Sequence, residues 1–321
     1  EFFLAMGVYF LSRLGKGQSA LLCGLALSAA FACRPTGIFF LAAVGVYLLI
    51  TDRKALKSLV VGALPLLLAV VFYNYHYFGN FHTFGQSISG AENAMAMTGS
   101  DRVWQTPLWL GAAGFLVCPS RGLVFYSPFV LFAFPTFYLV WRRKELSFMR
   151  PVVVALAALL LLTFKYYKWW GGWTFGYRLF VDTMPIFAVM LVPIVDWLWR
   201  RRFVMPVFMV LLGWSIFVQI IGAYAYNVVD WNLQPNRYVV SFKREGTQKT
   251  VFSEDEAVRI LRSSADGGTY ERMGRNVDEL QHRHRLWSLK DSQIVYYIRN
   301  FASSRRQKQV FIEEGIMDPE R

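Results

Sequence analysis

The stretch Lys165–Asp182, KYYKWWGGWTFGYRLFVD, concentrates the residue types that could do chemistry: Lys165, Lys168 and Arg178, three tryptophans and a Gly-Gly pair, set between two apolar runs. Fixed cations suit a phosphate by charge, and aromatic rings suit the C–H face of a sugar by stacking. Gly171 and Gly172 let the backbone turn sharply, so Trp169, Trp170 and Trp173 could line a cleft to which Tyr166, Tyr167 and Tyr177 add hydroxyl donors. An aromatic belt at a membrane boundary is the competing reading of the same rings.

Two more cations belong with this group. Arg34 sits in CRPTG, where Pro35 and Gly37 force a tight connection between two apolar runs, and Arg121 sits in the PSRG turn ahead of another run. Ionisable groups at the edges of apolar segments are paired, snorkelling or functional. Arg34, Arg121, Lys165, Lys168 and Arg178 therefore form a candidate phosphate-binding set, and Trp169, Trp170, Trp173, Tyr177 and Asp182 a candidate sugar or acceptor cleft. Arg178 and Asp182 are spaced i,i+4 at a helix start, which predicts a salt bridge on one face; that pairing is favoured over a catalytic role for Asp182.

Other chemistries fail on spacing. GGWTFG lacks the preceding strand and the GxGxxG pattern of a dinucleotide loop, and there is no P-loop, HExxH or GxSxG. His282 and His284 alternate as on one face of a strand, but no carboxylate or thiol framework accompanies them; His76 and His82 are isolated. The three cysteines, Cys23, Cys33 and Cys118, have no metal-like spacing. No two carboxylates make a convincing acid/base pair, so the catalytic residue is unassigned. No cofactor is called for, with a divalent metal left open.

The elements that must position these residues are membrane helices. Mean hydropathy is +0.34, 55% of residues are hydrophobic and 17% charged, and the charges cluster between long apolar runs. That is the composition of an all-α multi-pass membrane protein. Eight apolar runs fall at about 1–11, 19–33, 36–51, 58–75, 123–141, 151–167, 179–199 and 203–226. The connections Ser12–Gln18, Thr51–Lys57, Trp141–Arg150 and Arg200–Arg202 hold 2, 3, 4 and 3 basic residues, 12 of the 18 before residue 233. By the positive-inside rule these four are cytoplasmic. Arg34–Gly37, Tyr75–Gly122, Lys168–Arg178, the pair Asp230 and Trp231, and the tail then share the opposite, exoplasmic side. The net charge of +13 is thus mostly a record of topology, and a nucleic-acid partner is disfavoured.

Residues 1–232 read as the helix bundle and 233–321 as a small soluble exoplasmic extension. Leu108–Cys118 is too short to cross a bilayer and predicts an interfacial or re-entrant helix inside the long loop; Gln86–Ser100 suits a hydrophilic loop. In the tail, Tyr238–Phe242 predicts a strand, and Glu254–Arg262 and Asp291–Phe301 amphipathic helices. Because Glu1 opens directly on an apolar run, the expectation is an N-terminally truncated chain whose first helix lies upstream.

The succession GLALSAAFACRPTGIFFLAAVGVYLL, YNYHYFGN, PSRGLVFYSPFVLF, WWGGWTFGYRLFVDTMPIF and LWSLKDSQI resembles the membrane glycosyltransferases of the GT-C superfamily, in the bacterial branch related to protein mannosyltransferases and aminoarabinose transferases. The likeness covers most of residues 1–232 and a short piece of the tail, with 236–282 resembling an insertion. It implies a GT-C-like transmembrane bundle in the bacterial inner membrane and an inverting transfer of sugar from a polyprenyl-phosphate carrier on the periplasmic face. It also implies that the catalytic carboxylate follows the first transmembrane helix, upstream of Glu1, with Glu1 at most a secondary acidic residue. The acceptor, whether glycan, lipid or protein, stays open. A multi-pass transporter or flippase for a lipid-linked or anionic substrate is the alternative; it should show a pseudo-repeat with broken helices, and none stands out.

Overall fold

The computed structural model describes residues 1–321 apart from 16–17, 229, 234–236, 243–247, 252–258, 263–267, 274–275 and 314–321. Helices dominate. In chain order they are α1 (Phe2–Ser12), α2 (Ser19–Cys33), α3 (Ile38–Thr51), α4 (Arg53–Phe78), α5 (Gly85–Thr98), α6 (Leu108–Val117), α7 (Leu123–Tyr126), α8 (Thr136–Arg142), α9 (Arg150–Phe164), α10 (Met184–Arg200) and α11 (Val204–Ala225). The tail adds the short helices Gln293–Arg299 and Phe301–Glu313.

Among the described residues, four helical stretches are long and apolar enough to cross a membrane: Arg53–Phe78, Lys144–Phe164, Arg178–Arg200 and Val204–Ala225. Their outer faces fit a lipid solvent. Val61, Leu68 and Phe72 on α4 and Val210, Ile216 and Phe217 on α11 are exposed, a density of bare apolar surface that is costly in water. Inward, Leu27, Phe40, Leu48, Leu156, Phe180 and Phe187 belong to one continuous core.

The eight predicted runs all become helical, with two instructive departures. The run at 123–141 is broken into α7, a 3₁₀ segment Pro128–Ala133 and α8. Pro128 opens the 3₁₀ segment and Pro135 stands at the N-cap of α8, each removing a backbone donor that a continuous helix would need. α4 in turn starts earlier than its run, because Asp52 caps it: the Asp52 carboxylate accepts from the Lys54 and Ala55 amides at 3.0 and 3.1 Å. The basic residues of that predicted connection are therefore the first turn of α4.

Leu108–Val117 is the short helix expected, whereas Gly85–Thr98, suited by composition to a loop, is also helical. The expected strand appears as β1 (Arg237–Phe242), the centre of an antiparallel sheet with β2 (Gln248–Val251) and β3 (Gly268–Met273) in the order β2-β1-β3. Apart from this small tail sheet, the described elements are helical and the fold is all-α. The Asp291–Phe301 pattern is the helix Gln293–Arg299. Most of Glu254–Arg262 lies outside the described residues.

α2 and α4 pack at backbone distance. A Cβ added at Gly24 would lie 2.0 Å from the Leu59 carbonyl oxygen, and one at Gly62 2.0 Å from that of Leu21. Small residues at such a crossing replace the hydrophobic drive that lipid does not supply. Gly24→Val or Gly62→Val should therefore part the helices at about 1–3 kcal/mol, read as a lower Tm of the detergent-solubilised protein. Gly213→Ala, where a Cβ meets nothing within 4 Å, should leave Tm unchanged or raise it.

Candidate functional site

The Lys168–Gly176 turn forms as its glycines demand. Gly171, Gly172 and Gly176 have φ of 80°, 77° and 68°, the left-handed region that glycine enters freely. The turn does not open a cleft, because the tail closes over it. The Lys168 ammonium pairs with Asp278 at 2.5 Å, and the other Asp278 oxygen accepts from the Trp170 indole at 2.8 Å. The Trp173 indole donates to Asn276 at 3.0 Å, and the Arg283 guanidinium lies 4.3 Å from the centre of the Trp170 ring. Trp169 packs on α6, where a Cβ at Gly114 would collide with its ring, and against Trp287 with ring centroids 5.5 Å apart.

Arg121 is the knot beneath this layer. It is fully buried, and all five of its N–H groups are used. They donate to the carbonyls of Trp170 (3.0 Å), Gly172 (3.0 Å) and Ser120 (2.9 Å), and to the side-chain oxygens of Gln293 (2.5 Å) and Asn232 (3.5 Å). The Gln293 oxygen also accepts from the Tyr126 hydroxyl at 2.9 Å and the Gly176 amide at 3.3 Å, while its amide donates to the Thr174 carbonyl at 2.8 Å. Close by, Arg285 donates to Asp291 at 2.7 Å and to the Trp231 carbonyl at 2.8 Å.

These contacts correct several expectations. Arg121 has no donor left for a phosphate, and Lys168 is already neutralised by a carboxylate. Trp169 and Trp170 are buried and Trp173 is half-buried with its indole engaged, so these rings are the tail's docking platform, neither a lipid belt nor a sugar cleft. Tyr177 is buried against Phe115 and Phe180, its hydroxyl meets no partner among the described residues, and burial pushes its pKa up. Burial likewise pushes up the Cys118 thiol, to about 11; that thiol donates to the Leu286 carbonyl at 3.0 Å, another tail contact.

Arg34 and Asp182 occupy a different place. Both line a cavity of about 420 Å³ at the same end of the bundle. Its lining includes the polar residues Glu1, Gln86 and Tyr166 and the apolar residues Leu4, Phe40 and Leu159. Arg34 has an extended backbone (φ −152°, ψ 120°) between α2 and the 3₁₀ turn Pro35–Gly37. Gly37 permits that turn, since a Cβ there would stand 2.7 Å from the Phe31 amide nitrogen.

Asp182 pairs with Arg34, not with Arg178 as the i,i+4 spacing predicted. Arg178–Thr183 is a 3₁₀ helix, in which three residues per turn set i and i+4 about 120° apart. The Arg34 and Asp182 side chains keep 36% and 32% of their surface exposed, so the pair contributes at most about 1 kcal/mol and serves to orient. Burial, and secondarily the charge of Arg178, lower the Arg34 pKa, with Tyr166 opposing. Arg178 and Lys165 are exposed, and among the described residues neither makes an ion pair or side-chain hydrogen bond.

Of the sequence-nominated residues, then, Arg34 and Asp182 share the cavity, Arg178 lies near enough for Arg34 to feel its charge, and Lys165 adjoins the cavity residue Tyr166. Gln86, Trp104 and Thr163 line it without having been singled out; Trp104 is brought in by tilted packing on Tyr166 and by the Thr106 amide donating to the Lys165 carbonyl at 3.0 Å. His282 and His284 fall in a 3₁₀ helix rather than a strand. Among the described residues, no three His, Cys, Asp or Glu side chains gather.

No protein-family model matches this chain, and neither a curated protein nor a solved structure matches it.

Removing Arg121 takes a donor from three carbonyls and from the Gln293 and Asn232 side-chain oxygens, all buried together. Arg121→Met should destabilise the protein by about 3 kcal/mol or more and expose the tail to limited proteolysis. Gln293→Glu should keep the shape but repel the Thr174 carbonyl, giving a smaller loss in the same assay.

Proposed function

We propose that this chain is an integral-membrane glycosyltransferase of GT-C type, multi-pass in a bacterial inner membrane, moving a sugar from a polyprenyl-phosphate carrier to an acceptor on the periplasmic face. The observation that carries the reading is the mixed lining of the Arg34 cavity. Its lining combines the core residues Leu4, Phe40 and Leu159 with a partly exposed guanidinium beside a carboxylate. An amphiphile with an isoprenoid chain and a phosphate head suits such a lining. The tail, docked at this end, is exoplasmic in the same reading.

In this mechanism Arg34 holds the carrier phosphate and Asp182 holds Arg34. Charge builds on the leaving phosphate as the bond to the anomeric carbon breaks, and an oriented cation in a partly dry site stabilises that charge more than the ground state. Arg178 and Lys165, exposed nearby, draw the anionic head toward the cavity. Lys168 and Arg121, committed to the tail, have no direct part.

Arg34→Ala should weaken binding of a short-chain polyprenyl phosphate to the reconstituted protein roughly tenfold, the loss of one charge-assisted hydrogen bond, and reduce sugar transfer by about 10²-fold or more. Lys168→Ala should lower Tm while leaving phosphate affinity near wild type. Equal affinity and turnover in Arg34→Ala and wild type would remove the reading.

A further inference from the structure

The two helices of the tail gather basic side chains beside α11. Gln293–Ile312 contains four basic residues, Arg299, Arg305, Arg306 and Lys308, and no acidic one. The acidic residues Glu313 and Glu314 follow directly, so the basic stretch is local. The helix Phe301–Glu313 is also fastened to α11, one of the membrane-long helices. The Lys308 ammonium donates to the Ala223 carbonyl at 2.7 Å, and the Arg305 guanidinium lies 5.9 Å from the centre of the Tyr224 ring.

α11 ends at Ala225, so these contacts fall in its last turn, about 3 Å from its end at 1.5 Å per residue. Phe217, Ile220 and Tyr224 on the same stretch of α11 are exposed, as a lipid-facing surface would be. Arg299, Arg305 and Arg306 are exposed too, beside the bare apolar side chain of Ile298. Lys290 and Arg299 border an open cleft of about 400 Å³, whose one carboxylate, Asp291, is already held by Arg285. A basic surface with apolar neighbours is thereby fixed at the height where a bilayer carries its headgroups.

We propose that the helix Phe301–Glu313, together with Arg299, is a docking surface for anionic phospholipid headgroups at the exoplasmic edge of the bilayer. It rests on the membrane reading above, but not on the identity of the reaction. Each cation near an anionic surface strengthens attachment roughly fivefold, so the tail would be held to the bilayer as well as to the bundle.

The test is amide hydrogen exchange of the full chain in lipid nanodiscs, phosphatidylcholine alone against discs with about one third phosphatidylglycerol. Exchange in residues 299–313 should be roughly tenfold slower in the anionic discs. The difference should shrink at high salt and vanish in an Arg299→Ser, Arg306→Ser double variant, whose changes touch only exposed side chains. Equal exchange in both lipids, with α11 protected in each, would overturn the docking surface and leave the membrane reading standing. A chain that does not enter the discs would overturn both.

Discussion

A single buried cation governs how this molecule closes. The Arg121 guanidinium lies wholly out of solvent and, among the described residues, has no carboxylate partner; its neighbours are carbonyl and amide oxygens and the face of Trp231. Desolvating such an ion costs several kcal/mol, an outlay offset only when every N–H finds an acceptor of good geometry. Those acceptors come from stretches of chain around residues 120, 170, 232 and 293, so satisfying one side chain forces four distant segments into register. The Lys168–Asp278 pair, the two indole hydrogen bonds and the Arg285–Asp291 pair surround the same junction of chain segments.

Arg34 shows the opposite use of the same side chain. It follows a helix end, keeps about a third of its surface in solvent and, among the described residues, contacts one partner, Asp182. A guanidinium has five donors, so most of Arg34 is uncommitted where that of Arg121 is exhausted. Both sit in short Pro-Gly-containing turns beside apolar runs. What separates a spent guanidinium from an open one here is the number of acceptors already present, which is a property of the assembled end of the bundle and not of either turn.

This difference marks what could be read in the sequence and what could not. Helix positions were legible because they depend on local hydrophobicity, and the sharp turns at Arg34–Gly37 and Gly171–Gly172 because they depend on glycine and proline. The break in the run at 123–141 was also legible in principle, through Pro128 and Pro135, but it was masked by the apolarity of everything around them. The roles of Trp170, Lys168 and Arg121 were not legible, because their partners Asp278 and Gln293 lie 108 to 172 residues away in a tail of ordinary mixed charge. An aromatic, cationic turn looks the same whether a ligand or another part of the chain covers it. The Arg178–Asp182 spacing misled for a narrower reason, a 3₁₀ turn where α-helical geometry was assumed.

The long reach of Arg121 also imposes an order on biosynthesis. Its guanidinium leaves the ribosome 172 residues before the side chain of Gln293. Throughout that interval the guanidinium lacks one of its five acceptors. The helices α2 and α4 meet across a short stretch of chain, whereas the knot around Arg121 closes only once Gln293 has followed.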